Sequence, residues 1–462
     1  MKKPVTMQNK SLSNVLLRQQ KNKNVAFNAD QVMTGQQFLE DIQTLCSVLK
    51  KDNSALVAIC CVNSYLFSVA FFAVIYAGKK ILLPGSHQPA ILSTLASQFD
   101  LLIDDGLMAK NAPIKRIELP LKMKSNSDFT FFELNLEQVE ITLFTSGSTG
   151  QPKAIYKTLA MLDKEISSLE ALWGDLLGAS TVQSTVSHQH IYGLLFRVLW
   201  PLCMGRSFSC LDITYPEQVS LRANDASILI TSPALLKRLS MEKSSASYRA
   251  VFSSGGPLLE AGLTNCQSIL KQTPIEIFGS TETGGIGYRS QTHNDAEWTF
   301  FSEISAQVDK NQCLLLTSPW LSPDLTATAD AYYQTSDQCE LLSDRRFILK
   351  GRIDRIVKIE EKRVSLIALE MRLNAMNWVD ESVLVVLDKR ARMSLGALLV
   401  LSLIGKKQFK TLGKATFCLQ LRHDLRQWFE PVAIPRYFRI EDEIPLNTQG
   451  KRRYEEISGL FE

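Results

Sequence analysis

The chain predicts an α/β fold in two parts, on three observations. As far as Trp298, short apolar runs alternate with segments of helical period, and several runs break into loops of Gly, Ser, Thr and Pro. After Trp298 the pattern changes to short strands and turns. Strands alternating with helices imply a mainly parallel sheet covered on both faces. The expected architecture is a large N-terminal domain with doubly wound mixed sheets plus an antiparallel region, then a small α+β C-terminal domain on a hinge. A length of 462 residues is long for one core, which fits that division.

The elements justify this in order. Phe38, Ile42, Leu45 and Leu49 recur at helical spacing within 34–51. A strand over 55–62 precedes a helix capped near Asn63 or Ser64 and ending at Gly78. That stretch is apolar over roughly the length of a membrane span, yet Asn63-Ser64 interrupts it, so no transmembrane segment is expected. Strands follow at 80–83 and 101–105, whereas 117–136 shows no readable order. A buried strand over 139–144 runs into a hydroxyl- and glycine-rich loop and resumes as a strand near Ala154. Next come a helix over 159–177, a strand over 182–187, the segment Ser187-His-Gln-His-Ile-Tyr-Gly193 and an apolar helix over 194–202. Ser232-Pro233 should cap and open a helix after the strand 227–231. Val251-Phe252 leads into a loop over 253–257, and the strand 274–278 leads into one over 279–285. In an open α/β sheet the ligand crevice lies beyond the carboxyl ends of the strands, where such loops can share one site.

Beyond Trp298, strands at 313–316 and 339–342 are expected, the latter paired through a turn with 347–350. Residues 351–354 read as a linker, giving domains 1–353 and 354–462. The second should hold a helix over 366–376, strands over 382–387 and 397–403, and a helix with Leu421, Leu425, Trp428 and Phe429 on one face.

Composition removes several function classes. Fifty-one basic against 47 acidic residues leave a net charge of only +4 without a long basic run, so nucleic acid is not an expected partner. Nine cysteines without Cys-x-x-Cys spacing argue against a disulfide framework or a zinc site and for a reducing compartment. Met1-Lys2-Lys3-Pro4 and the polar residues after it lack the apolar core of a signal peptide, so a cytoplasmic location is expected.

Thr145, Ser146, Gly147, Ser148, Thr149 and Gly150 offer successive backbone N–H groups, hydroxyls and close approach, and Lys153 adds a positive charge. That combination suits a phosphate, although a Ser/Thr/Gly-rich turn without a ligand has similar composition. A Walker-type loop ends in Gly-Lys-Ser/Thr and opens a helix, whereas here Pro152 precedes Lys153 and a strand follows. The run 145–153 resembles the phosphate loop of the adenylate-forming (ANL) superfamily of acyl- and aryl-CoA synthetases, which also includes peptide-synthetase adenylation domains and beetle luciferases.

Further elements resemble that family in its order. Phe278-Gly-Ser-Thr-Glu282 is similar to its Tyr-Gly-x-Thr-Glu, which implies that Thr281 touches the α-phosphate and Glu282 holds Mg²⁺. A carboxylate beside a polyphosphate is repulsive without a cation, so Glu282 suits that place only as a metal ligand; otherwise it is a surface glutamate after a turn. Tyr333-Gln-Thr-Ser-Asp337 resembles Tyr-x-Thr-Gly-Asp, whose aspartate holds the ribose hydroxyls, with Ser336 in place of glycine. As a lone aspartate, Asp337 equally reads as a turn or cap residue. Gly351-Arg-Ile-Asp-Arg-Ile-Val-Lys358 resembles the hinge signature, which implies Arg352 near the ribose, Asp354 as pivot and Lys358 serving the second half-reaction. Near the end, Pro445 to Lys451 matches Pro-x-x-x-x-Gly-Lys, whose lysine bridges the carboxylate and the α-phosphate. Lys451 also heads a basic triplet with Arg452 and Arg453, the composition of a solvated tail. Gly255, Gly256, Pro257 and Phe278 resemble the pieces that line adenine.

The resemblance implies activation of a carboxylic acid by ATP and Mg²⁺ as an acyl-adenylate with release of pyrophosphate. Transfer follows to a thiol, that of CoA or of an acyl carrier protein's phosphopantetheine, after the small domain rotates about Asp354. Amino-acid-activating relatives place an aspartate against the substrate amine where this chain has Ser187-His-Gln-His190, so an α-amino acid is not expected. His190, Tyr192 and Gly193 resemble the His-x-x-Gly of aryl and acyl ligases, in which the histidine gates the acid; a structural histidine is the other reading of His190. With Gly284 and Gly285 these residues would border an apolar, partly aromatic acid pocket. Glu361 stands where the family carries a glycine beside the thiol's path. An adenylate-only, luciferase-like enzyme and a catalytically silent nucleotide-binding protein are the alternatives.

Overall fold

The computed structural model of the chain describes residues 10–86, 89–106, 114–121, 129–146, 152–239, 247–291, 297–326, 331–359, 362–389, 392–429, 431–447 and 451–462. They divide into two units, one of residues 1–305, 317–333 and 344–346, the other of 306–316, 334–343 and 347–462.

The first unit opens with β1 (Asn24–Phe27), β2 (Val32–Thr34) and α1 (Gly35–Lys50). Thr34 caps α1 by accepting from the Gln37 N–H, and the stripe Phe38, Ile42, Leu45 and Leu49 is fully buried. Then come β3 (Leu56–Cys60) and α2 (Ser64–Tyr76), with the Asn63 side chain accepting from the Tyr65 and Leu66 N–H groups. Every residue of α2 but Leu66 is buried. A 13-residue helix spans about 20 Å, too short for a bilayer. Among the described residues no helix is long and apolar enough to cross a membrane. Next are β4 (Lys80–Leu83), α3 (Pro89–Thr94), β5 (Leu101–Asp104), β6 (Arg116–Glu118), β7 (Glu140–Ser146) and β8 (Pro152–Thr158). They build a six-stranded sheet in the order β6-β5-β3-β4-β7-β8, parallel except for the antiparallel pair β7–β8. Residues 117 and 118, at the head of the stretch that sequence left unread, thus belong to a strand.

Thr158 caps α4 (Leu159–Leu177), whose bounds are those expected from sequence. After β9 (Thr181–Ser184) the chain turns three residues earlier than expected, because the Ser184 hydroxyl accepts from the Val186 N–H and takes over its backbone pairing. The expected apolar helix divides into α5 (Ile191–Gly193), a π-helical stretch (Leu194–Leu199) and α6 (Trp200–Met204). The rest of the unit comprises β10 (Phe208–Ser209), α7 (Pro216–Leu221), β11 (Ser227–Thr231), α8 (Pro233–Lys237), β12 (Ala250–Ser253), α9 (Glu260–Ile269), β13 (Ile275–Ser280), β14 (Gly284–Ser290) and β15 (Glu297–Phe300). These strands form a second mixed sheet, β15-β14-β13-β12-β11-β9-β10-β1-β2, parallel from β13 to β1 and antiparallel at both ends. The predicted α/β class with mixed sheets is therefore the observed one.

The second unit begins with β16 (Ser305–Val308), β17 (Cys313–Thr317), β18 (Tyr333–Leu341) and β19 (Arg346–Arg352), consecutive neighbours in that order. Gly351 and Arg352, read from sequence as a linker, complete β19 and pair with Gln338 and Asp337. A hairpin of β20 (Ile356–Ile359) and β21 (Lys362–Ser365), α10 (Leu366–Asn374), β22 (Val379–Lys389), β23 (Arg392–Leu401), α11 (Leu403–Leu425), β24 (Tyr437–Ile440) and α12 (Tyr454–Gly459) follow. Period-two alternation in the sheet β22-β23-β24 separates two cores. Leu384, Leu395 and Leu399 face Leu369, Phe417, Leu421 and Leu425, whereas Val383, Val385 and Leu398 face Ile457 and Phe461. Trp428 departs from expectation: α11 ends at Leu425, and this ring is 61% exposed with the Arg372 guanidinium 4.2 Å from its centroid. All nine cysteines are free.

Candidate active site

The phosphate-loop segment joins β7 to β8. Thr145 and Ser146 end β7, and Lys153 sits across the hairpin from Thr145. Gly147, Ser148, Thr149 and Gly150 lie outside the described residues. Alternation along β8 puts Lys153, Ile155 and Lys157 on one face, and both lysines reach the same distant residue. Lys153 Nζ is 3.2 Å from a carboxylate oxygen of Glu282, and Lys157 Nζ donates to the Glu282 carbonyl at 2.9 Å.

Glu282 sits in the turn between β13 and β14, so the loop expected over 279–285 is the tip of an antiparallel hairpin. Ser280 and Thr283 brace it: the Ser280 N–H donates to the Thr283 hydroxyl at 3.0 Å, and the Thr283 N–H to the Ser280 hydroxyl at 3.1 Å. Thr281 is half-buried beside Glu282. Burial alone would raise the Glu282 carboxyl, but backbone bonding and Lys153 outweigh it and hold the group below its ordinary value. Glu282 is therefore an ionised hard-oxygen donor beside a lysine, the donor type that Mg²⁺ takes together with phosphate oxygens. Among the described residues no group of three or more His, Cys, Asp or Glu forms a protein-only metal site.

Phe278 on β13 lies 5.7 Å from the Trp298 ring, centroid to centroid. Gly255 and Gly256 are exposed, Gly255 adopts φ +96°, and Pro257 follows in the same loop. The Ser254 hydroxyl donates to the Ile277 carbonyl at 2.8 Å, which fixes this loop against the strand carrying Phe278.

The two histidines of the 187–193 segment separate by environment. His188 is fully buried, with Nδ1 3.0 Å from the Ser64 hydroxyl, Nε2 2.8 Å from the Cys61 carbonyl and its ring against Phe67. It is the structural histidine. His190 is half-buried at the start of α5. The Tyr192 ring lies 4.8 Å from that of Phe196, tilted by 47°, and burial pushes its phenol well up. A β-carbon on Gly193 would lie 2.1 Å from the Ser187 carbonyl oxygen, which explains a glycine there.

In the second unit Asp337 and Arg352 are opposite one another on β18 and β19, with 3.6 Å between guanidinium and carboxylate. Of Asp354 and Lys358 only the backbone is described: Asp354 in the 3-10 turn Ile353–Arg355, Lys358 in β20. Glu361 lies outside the described residues. Lys451 is exposed, and its loop is closed by Lys451 N–H donating to the Asn447 side chain at 2.9 Å and Asn447 N–H donating to the Lys451 carbonyl at 2.8 Å.

Sequence reasoning missed the groups beneath these residues. Within the basic triplet Arg452 is not a solvated residue, since it pairs with Glu370 at 3.1 Å and with Glu381 at 3.4 Å. Glu370, 6% exposed, also accepts from Arg355 and from the Leu384 N–H. One buried carboxylate thus joins the residue after Asp354 to the residue after Lys451. In the first unit, Lys157 and Glu165 were likewise overlooked. Both interrupt apolar periods: Lys157 alternates with Ile155 in β8, and Glu165 lies between Leu162 and Leu169 on the buried face of α4.

Residues 86–315 match the sequence model of a family described as AMP-binding enzyme. The chain is 24% identical over 327 residues to a 4-coumarate–CoA ligase of Rhodobacter capsulatus, covering 70% of this chain and 78% of that protein. It is 24% identical over 343 residues to a 3,4-dihydroxybenzoate–[aryl-carrier protein] ligase of Bacillus anthracis, covering 71% of this chain and 76% of that protein. Its fold superposes on ATP-bound MatB from Rhodopseudomonas palustris with a TM-score of 0.80 at 17% identity, over 97% of this chain and 99% of that one. Residues 86–315 are an AMP-binding enzyme domain of the adenylate-forming superfamily. The Rhodobacter and Bacillus relatives are both, by name, ligases of an aromatic acid to a thiol carrier.

Proposed function

We propose that the protein is an AMP-forming acid–thiol ligase, which activates an aryl or acyl carboxylic acid and loads it on CoA or on the phosphopantetheine of an acyl carrier protein in the cytoplasm. In the first step a carboxylate oxygen of the acid attacks the α-phosphorus of ATP, and pyrophosphate leaves with the electrons of the broken P–O bond. A thiol sulfur then attacks the acyl carbon, loses its proton, and AMP departs. The first step brings an anion to a polyanion, so alignment and charge neutralisation carry the catalysis, as in phosphoryl transfer generally.

The observation that carries this reading is the meeting of Lys153 with Glu282 at the mouth of the β7–β8 loop. Lys153 neutralises phosphate charge, Thr281 contacts the α-phosphate, and Glu282 holds Mg²⁺, which supplies further positive charge when bound. Thr145, Ser146 and the residues 147–150 cradle the phosphates; Gly255, Gly256, Pro257 and Phe278 line the adenine. Asp337 and Arg352 hold the ribose. Lys451 joins the acid's carboxylate to the α-phosphate, and Lys358 serves thiol transfer after rotation about Asp354. His190, Tyr192, Gly193, Gly284 and Gly285 border the acid. The names of the Rhodobacter and Bacillus relatives specify aryl or aryl-propenoic acids for those proteins, which supports an aromatic acid here.

Carboxylate-dependent ATP–pyrophosphate exchange across benzoates, cinnamates, fatty acids and amino acids tests the proposal. Exchange confined to one class of non-amino acid is expected. Preorganised charge contributes about 3 kcal/mol per group, so Lys451→Ala should lower exchange by at least about a hundredfold while ATP still binds. Undiminished exchange by that variant refutes the assignment of Lys451.

A further inference from the structure

Beneath the Glu282 turn lies a buried pair of opposite charges with no part in the proposed chemistry. Lys157 is 3% exposed and Glu165 4%, and each acts on the backbone of one short stretch. Lys157 Nζ donates to the carbonyls of Glu282, at 2.9 Å, and of Trp320. Glu165 Oε1 accepts the Gly285 N–H at 2.7 Å, and the Trp320 indole N–H donates to the Gly285 carbonyl at 3.0 Å. Residues 282–285 are thus gripped at three backbone positions. The fit leaves no slack: a β-carbon on Gly284, where φ is +63°, would lie 2.4 Å from Trp320 Cδ1 and 2.7 Å from Glu165 Oε2.

A pair of charges retained only for core stability has no need to address one loop, since well-packed apolar residues serve as well or better. Here the two lysines of β8 divide a single residue between them, Lys153 taking the Glu282 carboxylate and Lys157 its carbonyl. We infer that Lys157 and Glu165 are positioning residues, which fix the backbone over 282–285 and so hold the Glu282 carboxylate beside Lys153 for the nucleotide. This rests on the reading of Glu282 as the carboxylate of the Mg²⁺–ATP site.

The test compares Lys157→Met, Glu165→Leu, Glu165→Gln and the double variant Lys157→Met/Glu165→Leu in the full chain. Unfolding midpoint, hydrogen exchange of peptides covering 279–287, and the KM for Mg²⁺–ATP in pyrophosphate exchange are measured together. Removing both charges at once leaves no orphaned ion, so the double variant should lose less stability than Lys157→Met alone, the remaining cost being that of the backbone groups left unpaired. Losing the loop's hydrogen bonds should nevertheless speed exchange over 279–287 and raise KM by about tenfold or more, with a smaller change in kcat. Glu165→Gln preserves the acceptor for Gly285 and should restore protection and KM to near native. Native protection or native KM in the double variant overturns the inference, as does equal impairment by Gln and Leu at 165. If the double variant does not fold, that Gln–Leu contrast decides alone. Glu282→Gln, run alongside, judges the underlying reading separately: unchanged Mg²⁺–ATP dependence there removes Glu282 from the nucleotide site, while loop protection still reports on the pair.

Discussion

Glu165 shows what one buried carboxyl does to the whole protein's response to pH. Burial pushes it up from 4.5 to about 7, against the opposing pull of Lys157 and the Gly285 N–H. Lys157 is itself pushed down to about 8 by burial, with Glu165, Glu282 and Asp324 opposing. A carboxyl raised in the folded state favours folding fully below its unfolded pKa, and that contribution is lost as pH rises towards the folded value. At about 1.4 kcal/mol per pH unit the window from 4.5 to about 7 is worth roughly 3 kcal/mol. Lys157→Met removes the cation that lowers Glu165, so the window must extend above pH 7. Urea midpoints should therefore keep falling between pH 7 and 8 in the variant while the native protein levels off. Parallel curves through that interval would show that Lys157 does not set the Glu165 titration.

At the scale of elements, the turn from Ser187 to Gly193 joins sequence spacing to geometry. The glycine of the His-x-x-Gly pattern is where the chain returns against its own Ser187 carbonyl, and that obstacle is backbone, which cannot rotate away. Gly193→Ala should cost about 1–3 kcal/mol in unfolding free energy and raise the KM for the acid through His190. Gly459→Ala, whose added carbon would meet nothing within 4 Å, is the matched control and should leave both unchanged. A Gly193 variant as stable and as active as that control would exclude the strain. The same segment marks the limit of sequence reading. α4 was legible to its ends because Thr158 caps it and one apolar stripe runs its length. The strand after the phosphate-loop segment was legible because Pro152 does not suit a continuing helix. Six residues of the π-helical stretch were not, since nearly all are apolar and any helical period fits them. In β8 the clue inverted itself, with Tyr156 55% exposed and Lys157 inside, the reverse of what side-chain polarity suggests.

The whole molecule distributes its proposed lysines over two steps, and that division is separable by experiment. Lys153 belongs to the first unit, whereas Lys358 and Lys451 lie on different elements of the second, in β20 and in the loop before α12. Arg452 ties the latter loop to Glu370, and Arg355 ties the chain after Asp354 to the same carboxylate, so each lysine is followed or preceded by an anchored arginine. If Lys451 neutralises charge only while the adenylate forms, its removal cannot slow attack on an adenylate supplied ready-made. If Lys358 serves only thiol transfer, its removal cannot slow pyrophosphate exchange. Lys451→Ala should therefore lose exchange by at least about a hundredfold yet convert synthetic acyl-adenylate to thioester at a rate near native, and Lys358→Ala should do the reverse. Loss of both half-reactions in either variant would mean that one lysine serves both steps, and the proposed rotation about Asp354 would then have no chemical task. Glu361→Gly belongs with this pair: if the residue stands beside the thiol's path, as the resemblance implies, its carboxylate should slow an anionic acceptor, so the variant should speed transfer to CoA without altering exchange. An unchanged rate with CoA but a changed rate with carrier-bound phosphopantetheine would identify the carrier as the partner that Glu361 selects.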